Sequence, residues 1–197
     1  MQFAGLISGV NHTTGNNPAD KYLVDRVLRG DTRAFGIIVK NTENLVAQIV
    51  FKFITVAEDR KDLAQDIYLK AFHNLAGFKF QSKLSTWIAR IAYNSCMSWI
   101  EKKKLVLPGD LLDEEVVENK SEVLLFQKEL SVILRKEMDR LPPIYQTLIT
   151  LFHHESMSYE ELSQITGLPE GTVKSSLFRA RKMLKENLLS TYQKETL

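Results

Sequence analysis

The stretch MSYEELSQITGLPEGTVKSSLFRARKMLKENL, residues 157–188, decides the fold. Ser158-Tyr159-Glu160-Glu161 has the form of a capping box: the Ser158 hydroxyl can accept from the Glu161 amide while the Glu161 carboxylate reaches back to the cap. The helix that starts there runs to about Thr166. Gly167 then permits the positive φ of a tight turn, Leu168 can pin that turn to a core, and Pro169 begins a second helix. A short helix, a glycine turn and a second helix predict a helix-turn-helix.

On the second helix, Val173, Leu177, Ala180 and Leu184 recur at spacings of four, three and four, so they form the buried stripe. The opposite arc carries Thr172, Ser175, Arg179 and Lys182, with Lys174, Ser176 and Phe178 on its shoulders. Small hydroxyls and long cations, with no acid between Glu170 and Glu186, suit insertion into a DNA major groove. Charge alone would equally describe a solvated basic helix on a bundle surface. The capped first helix and the glycine turn favour DNA.

Working outward, 197 residues suffice for one large domain or two small ones, and 44% hydrophobic with 25% charged residues describes an ordinary folded chain. No apolar run approaches the length of a membrane span, and Met1 to Val10 lack the basic start and apolar core of a secretory signal, so a cytoplasmic protein is expected. Cys96 is the single cysteine and has no nearby His or Cys companion, which excludes a disulfide scaffold and a zinc site. The net charge of +2 conceals an alternation: residues 20–104 carry +6, residues 105–127 carry −5, and residues 128–197 carry +1.

Nearly every segment has helical period, so the fold class is all-α, with two helical domains joined by a flexible acidic linker. The expected division is a flexible extension over 1–19, a first domain over 20–104, the linker over 105–120 and a second domain over 121–197. Helix one spans about 20–29. Asp31 caps a long second helix, with an irregularity expected near Asn41 to Asn44. A third helix covers about 58–75 and turns Leu63, Ile67, Ala71 and Leu75 inward. Asp62, Gln65, Asp66 and Leu69 lie off that stripe as an acidic, partly apolar docking face, for which a plain solvated face is the default.

Phe78 to Lys104 interleaves cations with aromatics: Lys79, Lys83, Arg90 and Lys102 to Lys104, with Phe78, Phe80, Trp87, Tyr93 and Trp99. A single-stranded nucleic acid needs that combination, because phosphates want charge and unpaired bases want a flat ring. Lys83, Trp87, Arg90 and Asn94 share one face of a fourth helix, where Asn94 can read a base edge. Tyr93 and Trp99 read as core, whereas Phe78 and Phe80 sit in an irregular loop where core packing is a weaker explanation.

Together these residues resemble an extracytoplasmic-function sigma factor of the sigma-70 family. Phe78 followed by Leu84-Ser85-Thr86-Trp87-Ile88-Ala89-Arg90-Ile91-Ala92-Tyr93-Asn94 is similar to the minus-ten recognition segment, and Asp62-Leu63-Ala64-Gln65-Asp66-Ile67-Tyr68 to the core-polymerase-binding motif. Leu141-Pro142, Ser158 to Leu162 and Gly171 to Arg181 resemble the minus-thirty-five domain. The resemblance implies core RNA polymerase and promoter DNA as partners, often with an anti-sigma factor that masks both domains. It implies that Asp62, Gln65, Asp66 and Leu69 bind the polymerase clamp helices. It further implies that the loop from Phe78 to Lys83, with Lys79 and Phe80, captures an unstacked minus-ten base in a pocket to which Asn94 contributes, and that Lys174, Ser175, Phe178 and Arg179 read the minus-thirty-five duplex; the helix faces add Trp87 and Arg90 to the first set and Thr172, Ser176 and Lys182 to the second. No cofactor, metal, small-molecule substrate or membrane insertion is implied. Asp66 and Tyr68 depart mildly from common family forms, a change expected to leave docking intact, and the loop Lys79 to Lys83 departs more, which bears on the promoter sequence recognised.

A stand-alone helix-turn-helix regulator would explain the C-terminal half but leave residues 58–104 without a role. An enzyme is disfavoured: His153-His154-Glu155 lacks the second histidine, four residues on, that a zinc helix needs.

Overall fold

Asn17 opens the first helix, its side chain accepting from the Ala19 amide, and Pro18 follows where a missing N–H costs nothing. The computed structural model describes residues 17–106 and 125–195. The extension expected over 1–19 therefore lies outside the described residues except for 17–19, of which Asn17 caps helix α1 and Pro18 and Ala19 already belong to it. The linker expected over 105–120 lies outside them except for 105–106, which end α4.

Eight α-helices and no strand occur among the described residues: α1 Pro18–Leu28, α2 Thr32–Phe53, α3 Ala57–Asn74, α4 Leu84–Val106, α5 Leu125–Asp139, α6 Pro143–His153, α7 Tyr159–Thr166 and α8 Glu170–Glu195, with a 3₁₀ turn Leu75–Gly77 after α3. Asp31 caps α2 by accepting from the Arg33 and Ala34 amides and pairs with Arg26, which fixes the α1–α2 corner. The irregularity expected near Asn41 to Asn44 is absent. Thr42 is buried there, donates to the Ile38 carbonyl at 2.8 Å and lies 3.1 Å from the Tyr68 hydroxyl, so its polar group is satisfied without breaking the helix.

Helices α1–α4 enclose one core around Ile38, Ile49, Ile67, Leu75 and Ile88, all fully buried. The Leu63, Ile67, Ala71 and Leu75 stripe points inward as its spacing requires. Asp20 on α1 accepts from the Leu84 amide at 3.0 Å, supplying α4 with an N-terminal partner from 64 positions away. The C-terminal helices pack around Leu148, Leu151, Leu162, Ile165 and Leu177. Gln146 closes the α5–α6 corner by donating to the Asp139 and Leu141 carbonyls at 3.1 and 2.8 Å. Glu137 ties α5 to the tail of α8, accepting from Arg140 at 2.7 Å and Thr191 at 3.0 Å. The two halves meet where α7 packs on α4 and α6 on α2.

Candidate nucleic-acid interface

Both halves of the capping box form: the Glu161 amide donates to Ser158 Oγ at 3.1 Å, and the Ser158 amide donates to Glu161 Oε2 at 2.9 Å. Gly167 has φ 73°, and its N–H donates to the Ser163 carbonyl at 2.8 Å, ending α7. Ser163 Oγ donates to the Leu168 carbonyl at 2.7 Å and holds the turn. These contacts aim α8 outward. Val173, Leu177 and Ala180 are fully buried against α6 and α7, with Leu184 half-buried behind them.

The opposite arc of α8 is open. Thr172, Lys174, Ser175, Phe178, Arg179 and Lys182 are exposed, and Phe178 keeps 68% of its surface in solvent. Ser176 departs from the expected set, being 8% exposed. The 100° helical step places it beside Val173 and Ala180, inside the stripe rather than on the shoulder of the arc. Lys174 and Lys182 each lie 3.9 Å from an acid one turn away, Glu170 and Glu186. Such exposed pairs are weak and leave both cations available. Arg179 forms no ion pair among the described residues.

The minus-ten candidates are assembled differently. Phe78 is a core residue, only 7% exposed, which corrects its reading as a loop aromatic. Its ring lies 4.7 Å from Phe80 and 5.3 Å from Trp87, so the three rings anchor the loop on α4. That packing holds Phe80 at φ 55°, a backbone region that costs a bulky residue about 1 kcal/mol or more. Beside the rings lies a hollow of about 280 Å³, lined by Phe78, Lys79, Thr86, Trp87, Arg90 and Gln164 among others. Aromatic floor and cationic rim thus come together from Phe78, Lys79, Trp87 and Arg90. Asn94 is exposed one turn beyond Arg90 and does not line the hollow. Tyr93 and Trp99 pack against the core, as their positions suggested.

Lys83 is exposed but already paired with an acid of the chain itself. Its Nζ lies 2.9 Å from Glu161 Oε1, and Thr86 Oγ1 donates to the same oxygen at 3.4 Å. Burial raises the Glu161 pKa, but the Ser158 amide and the Lys83 ammonium outweigh it and hold the carboxyl below its usual range. Thr86 and Gln164 escaped the sequence reading. Thr86 resembles any small buried helix residue, and Gln164 reaches the hollow from α7, with nothing local to flag it.

On α3, Asp62, Gln65, Asp66 and Leu69 are all exposed on one face. Phe72, three residues beyond Leu69, extends the apolar part and packs edge-on against Phe35 of α2 at 5.0 Å. Deeper in the molecule, burial pushes the Cys96 thiol up to about 12, which leaves it inert rather than nucleophilic. Among the described residues no cluster of His, Cys, Asp or Glu could hold a metal, and no helix is long and apolar enough to cross a membrane.

Comparison with known proteins gives the family. The family model described as sigma-70 region 2 matches residues 38–106, and that described as sigma-70 region 4 matches residues 131–184. The chain is 31% identical over 180 residues to the ECF RNA polymerase sigma-E factor of Haemophilus influenzae, covering 86% of this chain and 95% of that one. It is 29% identical over 180 residues to the RNA polymerase sigma-H factor of Pseudomonas aeruginosa, covering 86% and 93%. Among solved structures, CnrH in complex with the cytosolic domain of CnrY superposes with a TM-score of 0.63 at 23% identity, covering 87% of this chain and 98% of that one. The sigma factor RpoE of Bartonella quintana, in complex with the anti-sigma factor NepR, gives 0.64 at 23% identity, covering 78% and 96%. At that identity the superpositions speak for the fold.

Proposed function

The chain belongs to the sigma-70 family as an extracytoplasmic-function sigma factor, a promoter-recognising subunit of RNA polymerase, and we propose that its three exposed surfaces divide that task. Residues 20–104 act as domain two, 121–197 as domain four, and 105–120 as the link between them. Lys174, Ser175, Phe178 and Arg179 read base edges of the minus-thirty-five duplex, and Thr172 and Lys182 hold its phosphates. Asp62, Gln65, Asp66 and Leu69 dock on the clamp helices of the largest polymerase subunit.

The hollow beside Phe78 and Trp87 receives an unstacked minus-ten base, with Lys79 and Arg90 on the flanking phosphates and Asn94 on the strand as it leaves. Unstacking a base costs a few kcal/mol, which a closed pocket and phosphate contacts offset. The work is physical rather than catalytic: the chain stabilises a melted strand, and polymerase holds both domains at promoter spacing. It acts in the cytoplasm, where polymerase works. An anti-sigma factor is a further partner, as the Bartonella neighbour carries one.

The observation that carries this reading is the outward arc of α8 over a fully buried Val173, Leu177 and Ala180 stripe. Its test is transcription by purified core polymerase on a genomic fragment library, with the starts sequenced. Starts that share two spaced elements and depend on the chain support it. Starts unaffected by the chain refute it.

A further inference from the structure

Lys83, just before α4, and Thr86, in its first turn and lining the minus-ten hollow, are already occupied by a carboxylate. Glu161 Oε1 takes the Lys83 ammonium at 2.9 Å and the Thr86 hydroxyl at 3.4 Å, while Oε2 accepts the Ser158 amide at 2.9 Å. The capping box therefore aims the carboxylate across the boundary between the two halves. An anionic oxygen held by an ammonium and a hydroxyl at the N-terminal end of a helix has the partners that a DNA backbone phosphate takes. One turn further along α7, Gln164 lines the hollow itself.

We propose that Glu161 is an internal phosphate mimic, and that α7 masks the minus-ten surface of the free chain until a promoter strand displaces it. This rests on the minus-ten assignment above and adds Thr86 to it as a phosphate contact. The mask covers one DNA surface only, because the α8 arc stays open with Phe178 68% exposed.

The boundary is built to part. Beside the α4–α7 contact lies a cleft of about 1010 Å³ between α2 and α5–α6, lined by Gln48, Lys52, Arg135 and His154 among others. Burial disfavours the Lys52 charge in this cleft, and the neighbouring Asp139 only partly offsets it. The Lys83 side chain is 47% exposed and that of Glu161 17%, so salt weakens the pair. Interfaces of this kind within one chain resemble transient protein contacts.

The test uses the full chain. Spin labels at Lys61→Cys and Lys185→Cys, both exposed, report the separation of the two halves, and buried Cys96 stays unlabelled. Glu161→Gln keeps the capping box, which accepts Gln as well as Glu, but removes the charge that holds Lys83. It should broaden a single narrow distance distribution toward longer separations. It should also tighten binding of a fluorescent dT20 single strand about threefold to fivefold at low salt. Glu160→Gln removes an equal charge from the same turn without touching Lys83, keeps a side-chain oxygen to accept from Gln164, and should leave both readings unchanged. Adding Lys83→Gln to Glu161→Gln should cancel the gain. Identical distances and strand binding in Glu161→Gln and the unmodified chain would overturn the proposal, as would an equal gain in Glu160→Gln. The distance reading involves neither DNA nor polymerase, so the mask can fail while the promoter assignment stands, and the reverse.

Discussion

The α7–α8 unit and the minus-ten hollow both present cations to DNA, but they are built by opposite means. The former is assembled from contacts within a few residues: Ser158 with Glu161, Gly167 with Ser163, Ser163 with Leu168. The latter depends on partners far along the chain, with Asp20 capping α4, Glu161 on Lys83 and Gln164 over the loop. A locally determined reader stays exposed and ready in the free chain. A surface assembled at long range can be covered or uncovered by moving one half against the other.

The largest effects should come from the shared support of the readers. Leu177→Ala removes a fully buried side chain from beneath α8 and should cost about 2–5 kcal/mol, seen as a lowered melting temperature with loss of duplex binding. Arg179→Ala should leave melting unchanged and weaken promoter binding by about 1–3 kcal/mol if its guanidinium makes a bidentate base contact. An equal loss on all duplex sequences would make it a phosphate contact.

The two caps give a direct contrast at about 1 kcal/mol each. Ser158→Ala should cost about 0.5–2 kcal/mol and lower hydrogen-exchange protection in α7 alone. Asp20→Ala removes a partner that joins α1 to α4, so protection should fall in both helices together. A purely local response to Asp20→Ala would erase the distinction between the two regions.

The smallest effect concerns pH. The Glu161 carboxyl is held below its ordinary range, so the stability it lends is fully present above that range and is lost as pH falls through the depressed value. A side-chain carboxyl resonance titrating at or above the usual glutamate value would contradict this.

Legibility followed the same division. The capping box, the glycine turn and the Val173, Leu177 and Ala180 stripe were readable because each is set by neighbours within one or two turns. Ser176 was misplaced only by the width assigned to the stripe. Phe78 was misread because a loop residue gives no sign of the rings it will meet, and here Phe80 and Trp87 drew it into the core. The end of the presumed tail was missed by two residues, since Asn17 and Pro18 form a helix start in a stretch otherwise rich in Gly, Asn and Thr. Nothing in the order of residues announced that Gln164 would reach the hollow or that Thr86 would meet Glu161.

The division of labour between the two surfaces is tested most directly by permanganate footprinting on promoter DNA recovered with the polymerase complex. With core polymerase and the chain together, thymines around minus ten should become reactive. Asn94→Ala should lower that reactivity far more than it lowers occupancy of the minus-thirty-five duplex. Full reactivity with Asn94→Ala, or an equal loss of minus-thirty-five occupancy and thymine reactivity, would contradict the account.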